Sequence, residues 1–133
     1  MLRHLEIRSR TGTEFINITP ELQEMVESSG IRSGLCHLFV LHTTAAVTIN
    51  EGADPAVQRD ITTFLNKLVP SDCCFTHTEG NSDAHIKSSL IGTSQTLLIE
   101  AGKLVLGTWQ AVYFCEFDGP RSRQIAVKLS QDP

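Results

Sequence analysis

The chain is 133 residues long, 41% hydrophobic and 20% charged, the composition of an ordinary globular domain and not of a disordered or fibrous chain. Eleven Lys and Arg against fifteen Asp and Glu give a formal net charge of −4, with no run of one sign. Nucleic acid is therefore excluded as an expected partner, because phosphate-backbone binding needs a concentrated basic face. No apolar run approaches a membrane span, and Met1-Leu2-Arg3-His4 is not followed by the apolar segment of a signal peptide; neither membrane nor secretion is expected.

A chain of this size buries roughly two-thirds of its unfolded surface, enough to fold without disulfides or a structural metal. The cysteines, Cys36, Cys73, Cys74 and Cys115, form neither a CxxC pair nor a zinc-finger spacing, and vicinal Cys73 and Cys74 are badly placed to bridge. Reduced thiols in a cytoplasmic protein are the expectation.

Leu2 to Arg8 and Glu14 to Ile18 are short extended segments around Thr11-Gly12-Thr13, which predicts an N-terminal hairpin. Thr19-Pro20-Glu21 then opens a helix, with Thr19 as N-cap, one apolar face of Leu22, Met25 and Val26, and Gly30 as its stop. Leu35 to Leu41 is apolar on both faces except at His37, the pattern of a central strand covered on both sides. Asp54-Pro55 starts a second helix whose Val57, Ile61, Phe64, Leu65 and Leu68 mark one face before Pro70. Asn81 or Ser82 caps a third, through Ile86, Leu90 and Ile91 to Gly92. Beyond it, Thr96 to Ile99, Leu104 to Leu106, Gln110 to Phe117 and Arg123 to Leu129 read as strands divided by turns. The sum is one α+β domain with strands at both ends and about three helices.

His42 closes the buried strand, His77 lies in a loop and His85 opens the third helix. His77 and His85 are eight residues apart across a Gly-Asn turn. A loop folding back brings both imidazoles to one ion, with His42 as a third ligand; the alternative is that His42 and His85 satisfy local backbone groups while His77 is solvated. His4 and His37 carry no such role. Asp54 and Asp83 each suit a helix N-terminus. Glu51 has no capping role, and Glu116 lies in an apolar strand where an unpaired carboxylate is costly, which predicts a cation or Arg121 nearby. Gly80-Asn81-Ser82, Thr43-Thr44 and Gly107-Thr108 offer backbone N–H groups to an anion, with Lys87 and Arg121 as the cations best placed to add charge. Trp109 suits core packing or a pocket wall equally.

Four stretches in this order, His42-Thr43-Thr44-Ala45-Ala46-Val47-Thr48-Ile49-Asn50-Glu51, Glu79-Gly80-Asn81-Ser82-Asp83-Ala84-His85-Ile86-Lys87, Gly107-Thr108-Trp109-Gln110 and Glu116-Phe117-Asp118-Gly119-Pro120-Arg121, resemble the YjbQ-like family, the secondary thiamine-phosphate synthase family, over nearly the whole chain. The resemblance implies a compact α+β subunit with a β-sandwich-like core, assembling as a homotrimer with a cleft near a subunit boundary. It implies a divalent metal, Zn or Mg, at His42, His77 and His85, and a polar catalytic surround of Glu51, Asp54, Glu116 and Arg121. Substrate and phosphate contacts then fall to Thr43, Thr44, Asn50, Gly80, Asn81, Lys87, Thr108 and Trp109.

The implied activity condenses hydroxymethylpyrimidine pyrophosphate with thiazole phosphate and releases pyrophosphate. Histidines favour a transition ion, whereas pyrophosphate departure usually employs Mg²⁺ held by carboxylates. Two alternatives follow from that tension. One is a metal-dependent hydrolase of a small phosphorylated or amide substrate with Glu51 as general base; the other is a non-enzymatic trimeric protein that binds metal or ligand.

Overall fold

The structure, a computed structural model, describes residues 1–72 and 74–133. Cys73 lies outside the described residues, and so does the expectation for the Cys73-Cys74 pair. The elements run β1 (Leu2–Arg8), β2 (Glu14–Asn17), α1 (Thr19–Ser29), β3 (Ser33–Val40), β4 (Ala45–Glu51), α2 (Pro55–Leu68), α3 (Ser82–Ile91), β5 (Ser94–Glu100), β6 (Lys103–Leu104), β7 (Gln110–Glu116) and β8 (Ser122–Gln131). The strands form two antiparallel sheets, a five-stranded one in the order β1-β8-β3-β5-β6 and a three-stranded one in the order β2-β7-β4. The α+β class with a sandwich-like core is thus present.

The small sheet is the middle layer. One face of it, with Val47, Val112 and Phe114, packs on Cys36, Leu38, Val40, Ile125 and Val127 of the large sheet and on Leu22 and Val26 of α1. Its other face, with Ala46, Ala111, Tyr113 and Cys115, is covered by Leu65 of α2 and Ala84 of α3. Burial raises the thiols of Cys36 and Cys115, to about 11 and about 12 respectively, so both are inert small hydrophobes in these cores.

Several expectations change. The two N-terminal strands do not form a hairpin: β1 pairs with β8 and β2 with β7, so the chain between them crosses from one sheet to the other. The strand covered on both sides is β7, every residue of which after Gln110 is buried, and not β3, whose Phe39 is 52% exposed. Ala45 to Glu51, in which only Val47, Thr48 and Ile49 favour a strand, is β4. Thr19 is the first residue of α1 and not its cap, since its hydroxyl accepts from the Val112 N–H at 2.8 Å; Gly30 closes that helix in the left-handed region at φ 75, as glycine permits. Of the expected α2 face, Leu65 is buried while Phe64 and Leu68 are exposed. In α3 the buried residues are Ala84, Lys87 and Ser88, while Ile86 and Leu90 face outward.

Asp54 caps α2 as expected, its Oδ1 accepting from the Ala56 N–H at 2.9 Å with Pro55 at the first helical position. Asp54→Ala is therefore expected to cost about 0.5–2 kcal/mol of stability, read as a lower urea midpoint at unchanged slope; an unchanged midpoint would contradict the capping role. Among the described residues no helix is long and apolar enough to cross a membrane.

Candidate functional site

The β4–β7 ladder has chemistry-bearing residues at both ends. At one end, where β3 hands over to β4, His42, Thr43 and Thr44 meet the segment before α3 and the turn between β7 and β8. They line, with His77, Glu79, Asn81, His85, Arg121 and Arg123, a polar cleft of about 340 Å³. At the other end, Asn50 and Glu51 lie opposite Ala111 and Gln110, beside the turn that carries Thr108 and Trp109. Six residues of β4 separate the two ends, roughly 20 Å at about 3.4 Å per residue.

The histidines do gather at the first end. The His77 and His85 rings stand edge-on with centroids 5.3 Å apart, and His77 Nε2 lies 3.9 Å from a Glu79 carboxylate oxygen. His42 lines the same cleft, but its Nε2 accepts from the Gln124 N–H at 2.8 Å. A neutral imidazole has one lone pair, so the other nitrogen of His42 carries the proton and is left as a donor with no protein acceptor among the described residues. Burial, and then the Arg123 guanidinium, push the His42 pKa below the usual imidazole range, which keeps the ring neutral. His77 and His85 fit two positions of a transition-ion shell. His42 does not fit a third while it holds Gln124, and among the described residues no three His, Cys, Asp or Glu side chains converge on one point.

The turn from Glu116 to Arg123 is held from beneath. Glu116 is fully buried. Its Oε1 accepts from the Ser9 hydroxyl at 2.6 Å and from Arg123 Nε at 2.8 Å; its Oε2 accepts from the Asp118 N–H at 3.0 Å and from Arg123 Nη2. The expected cation partner is therefore Arg123, in place of Arg121. Arg121 pairs instead with Asp118 at 2.9 Å on the rim, and Asp118 also accepts from Asn81 Nδ2 at 2.8 Å, tying the turn to the start of α3. Gly119 is required here, since an added Cβ would lie 2.3 Å from the Thr11 carbonyl oxygen and 2.7 Å from the Ser9 hydroxyl.

Other expected site residues stand elsewhere. Gly80 is in the left-handed region at φ 77 immediately before Asn81. Asn81 holds the N-cap position of α3 without a side-chain cap, and its Oδ1 is buried with no partner. Lys87 points to the opposite side of α3, where its Nζ donates to Asn66 Oδ1 at 2.6 Å and lies 3.8 Å from Asp83; it joins α3 to α2 and does not line the histidine cleft. Glu51 Oε2 accepts from the Ala53 N–H, and Asn50 Oδ1 from the Glu51 N–H. Thr108 and Trp109 line a separate cleft with Gly52, Ala53 and Pro20, and Trp109 is 65% exposed, a wall and not core.

Arg123 is the cleft residue that sequence reasoning missed. Its signal lay in the alternation of β8, where Arg123 stands in phase with the buried Ile125, Val127 and Leu129, as Glu116 does with Val112 and Phe114. Opposite charges at two inward positions mark a buried pair.

A family model described as UPF0047 protein YjbQ-like matches residues 3–132. The UPF0047 protein MJ1081 of Methanocaldococcus jannaschii is 50% identical over 132 residues, covering 99% of this chain and 96% of the relative. The UPF0047 protein YugU of Bacillus subtilis is 45% identical, covering 97% of this chain and 98% of the relative. Among solved structures, a conserved protein of the yjbq/upf0047 family from Clostridium acetobutylicum superposes with a TM-score of 0.94 at 48% identity, over 96% of this chain and 99% of that one. A YbjQ-like protein of unknown function from Sulfolobus solfataricus superposes with a TM-score of 0.94 at 31% identity, over 99% and 97%.

Proposed function

The chain belongs to the UPF0047 protein YjbQ-like family, and from that premise we propose that it is a cytoplasmic thiamine-phosphate synthase. It condenses hydroxymethylpyrimidine pyrophosphate with thiazole phosphate. The observation that carries this reading is the donor-rich cleft: three imidazoles, Arg121 and the start of α3 surround one polar space, a lining that suits phosphoryl oxygens.

In the reaction the thiazole ring nitrogen attacks the pyrimidine methylene carbon. The bond from that carbon to the pyrophosphate oxygen breaks, its electron pair leaves with pyrophosphate, and the new N–C bond puts a positive charge on the thiazolium ring. Arg121 and the His42 N–H bind the departing pyrophosphate as its charge develops. Asn81, held by Asp118, orients the group against the first turn of α3. A divalent ion, Zn or Mg, held through His77 and His85, would supply further neutralisation of that charge when bound.

A homotrimer belongs to the same reading. The Glu51, Asp54, Thr108 and Trp109 end is too far from the histidine cleft to serve it within one chain, and α2 leaves Phe64 and Leu68 bare. Packing of like copies at that bare face would bring one copy's Trp109 end beside another's histidines, where the indole shields the reacting methylene carbon from water. The hydrolase alternative has less support, because its general base, Glu51, stands at the far end of the ladder in the same chain.

Purified untagged protein given both substrates is expected to form thiamine phosphate and pyrophosphate in equal amounts. Phosphate or pyrophosphate release without thiamine phosphate would replace the synthase reading with the hydrolase, and no conversion at all would sink both.

A further inference from the structure

Arg123 is the most tightly held cation in the cleft, and the most completely explained except at one atom. Its Nε donates to Glu116, and its Nη2 donates to Glu116 and to Thr44, whose hydroxyl accepts at 2.8 Å and whose carbonyl accepts at 3.3 Å. Nη1 has no protein partner among the described residues. It is not sealed either, for the only buried side-chain atom left without a partner there is Asn81 Oδ1. A side chain 4% exposed that nevertheless lines the cleft thus turns one pair of N–H donors toward it.

We propose that Arg123 anchors the substrate's phosphoryl group through Nη1, with Glu116 and Thr44 as the positioning residues that fix its guanidinium; this rests on the phosphoryl reading of the cleft and names the residue and group involved. Rigidity separates Arg123 from Arg121, which is half exposed and engaged with Asp118 on the rim. A guanidinium already immobilised by four bonds loses little side-chain freedom when a ligand arrives. Its charge is balanced by Glu116, so recognition here comes from directed N–H groups more than from net positive potential.

The placement of the donors favours a tetrahedral anion over a planar one. Residues at three places around the cleft keep a donor without a protein partner among the described residues: Arg123 at Nη1, His42 at its proton-bearing nitrogen by the β3–β4 corner, and Arg121 at Nη1 on the rim. Three separated donors match the oxygens of a phosphoryl group, whereas a carboxylate has two in one plane. Lysine cannot replace Arg123 here, because one ammonium cannot hold Glu116 and Thr44 and still reach into the cleft.

Calorimetric titration of inorganic pyrophosphate tests this on the wild type, Arg123→Lys, Thr44→Val and Arg121→Lys, with acetate as the planar competitor. Arg123→Lys is expected to weaken pyrophosphate binding about ten- to a hundredfold. Thr44→Val, which removes one restraint on the guanidinium without unpairing Glu116, should weaken it severalfold with unchanged near-ultraviolet circular dichroism. Arg121→Lys should have a smaller effect than either. If Arg123→Lys does not fold, Thr44→Val decides. Folded Arg123→Lys or, failing that, Thr44→Val binding pyrophosphate as the wild type does would overturn the anchor and leave the phosphoryl reading standing. Acetate competing as well as pyrophosphate would overturn the tetrahedral class. No pyrophosphate binding by the wild type would overturn the anchor and the phosphoryl reading together.

Discussion

Glu116→Ala is expected to lower the free energy of unfolding by about 3–5 kcal/mol, the cost of leaving one member of a buried ion pair without its partner. The truncation removes more than a charge. Ser9, the Asp118 N–H and Arg123 all donate to this carboxylate, and all would be left in a place where water does not compensate them. The exposed Arg121–Asp118 pair serves as the control: Arg121→Ala should cost no more than about 1 kcal/mol. Urea unfolding of the three proteins checks the contrast, and equal midpoints for Glu116→Ala and Arg121→Ala would contradict it.

The same carboxylate sets an acid dependence. Burial alone would raise its pKa, but the hydrogen bonds from Arg123, Ser9 and the Asp118 N–H outweigh burial and hold it below the usual carboxylate range. A group depressed in the folded state stabilises in full above its unfolded pKa, about 4.3 for glutamate. That contribution is lost as the pH falls through the lower folded value. Wild-type stability should therefore decline below about pH 4.3 more steeply than that of Glu116→Gln, which has no proton to take up there.

The second large effect is on turnover. His77→Ala is expected to reduce thiamine phosphate formation by about a hundredfold, the scale for one group that stabilises developing charge, while changing stability by no more than about 0.5 kcal/mol. Its ring lies outside regular structure and about two-fifths exposed, with Glu79 as its only ion partner among the described residues, at 3.9 Å, so little of the fold depends on it. A transition ion carried by the wild type should leave with this side chain or with His85, and stay in His42→Ala. No conversion of either substrate by the wild type, together with dissociation of the assembly in His77→Ala, would favour the non-enzymatic reading, in which these residues hold subunits together.

Local chemistry made much of the fold legible. Proline after a cap residue marks the start of α2, glycine closes α1, and strict alternation marks β8. What stayed hidden depends on partners distant in sequence. The separation of β1 and β2 into different sheets is decided by β8 and β7, more than a hundred residues away in the first case. The buried face of α3 is polar because Lys87 finds Asn66 and Ser88 finds the Thr43 carbonyl, and no helical periodicity of apolar residues can announce that. β4 escaped notice because Ala45 and Ala46, small enough to sit between two layers, carry little strand signal of their own.

The site divides in the same way. His42, His77 and His85 stand at element ends, which sequence exposes, and they do share a cleft. Glu51 shares one stretch of sequence with His42, yet it stands with Trp109 at the opposite end of the β4–β7 ladder, because a strand carries its two ends apart by its own length. Arg123 was concealed by reading β8 for its apolar residues alone.

The most direct test is a crystal structure of the protein grown with inorganic pyrophosphate. The account expects pyrophosphate within hydrogen-bond distance of Arg123 Nη1 and His42, between α3 and the Asp118–Arg121 turn. Pyrophosphate bound only beside Trp109, or only on the far side of α3 at Lys87, would contradict it.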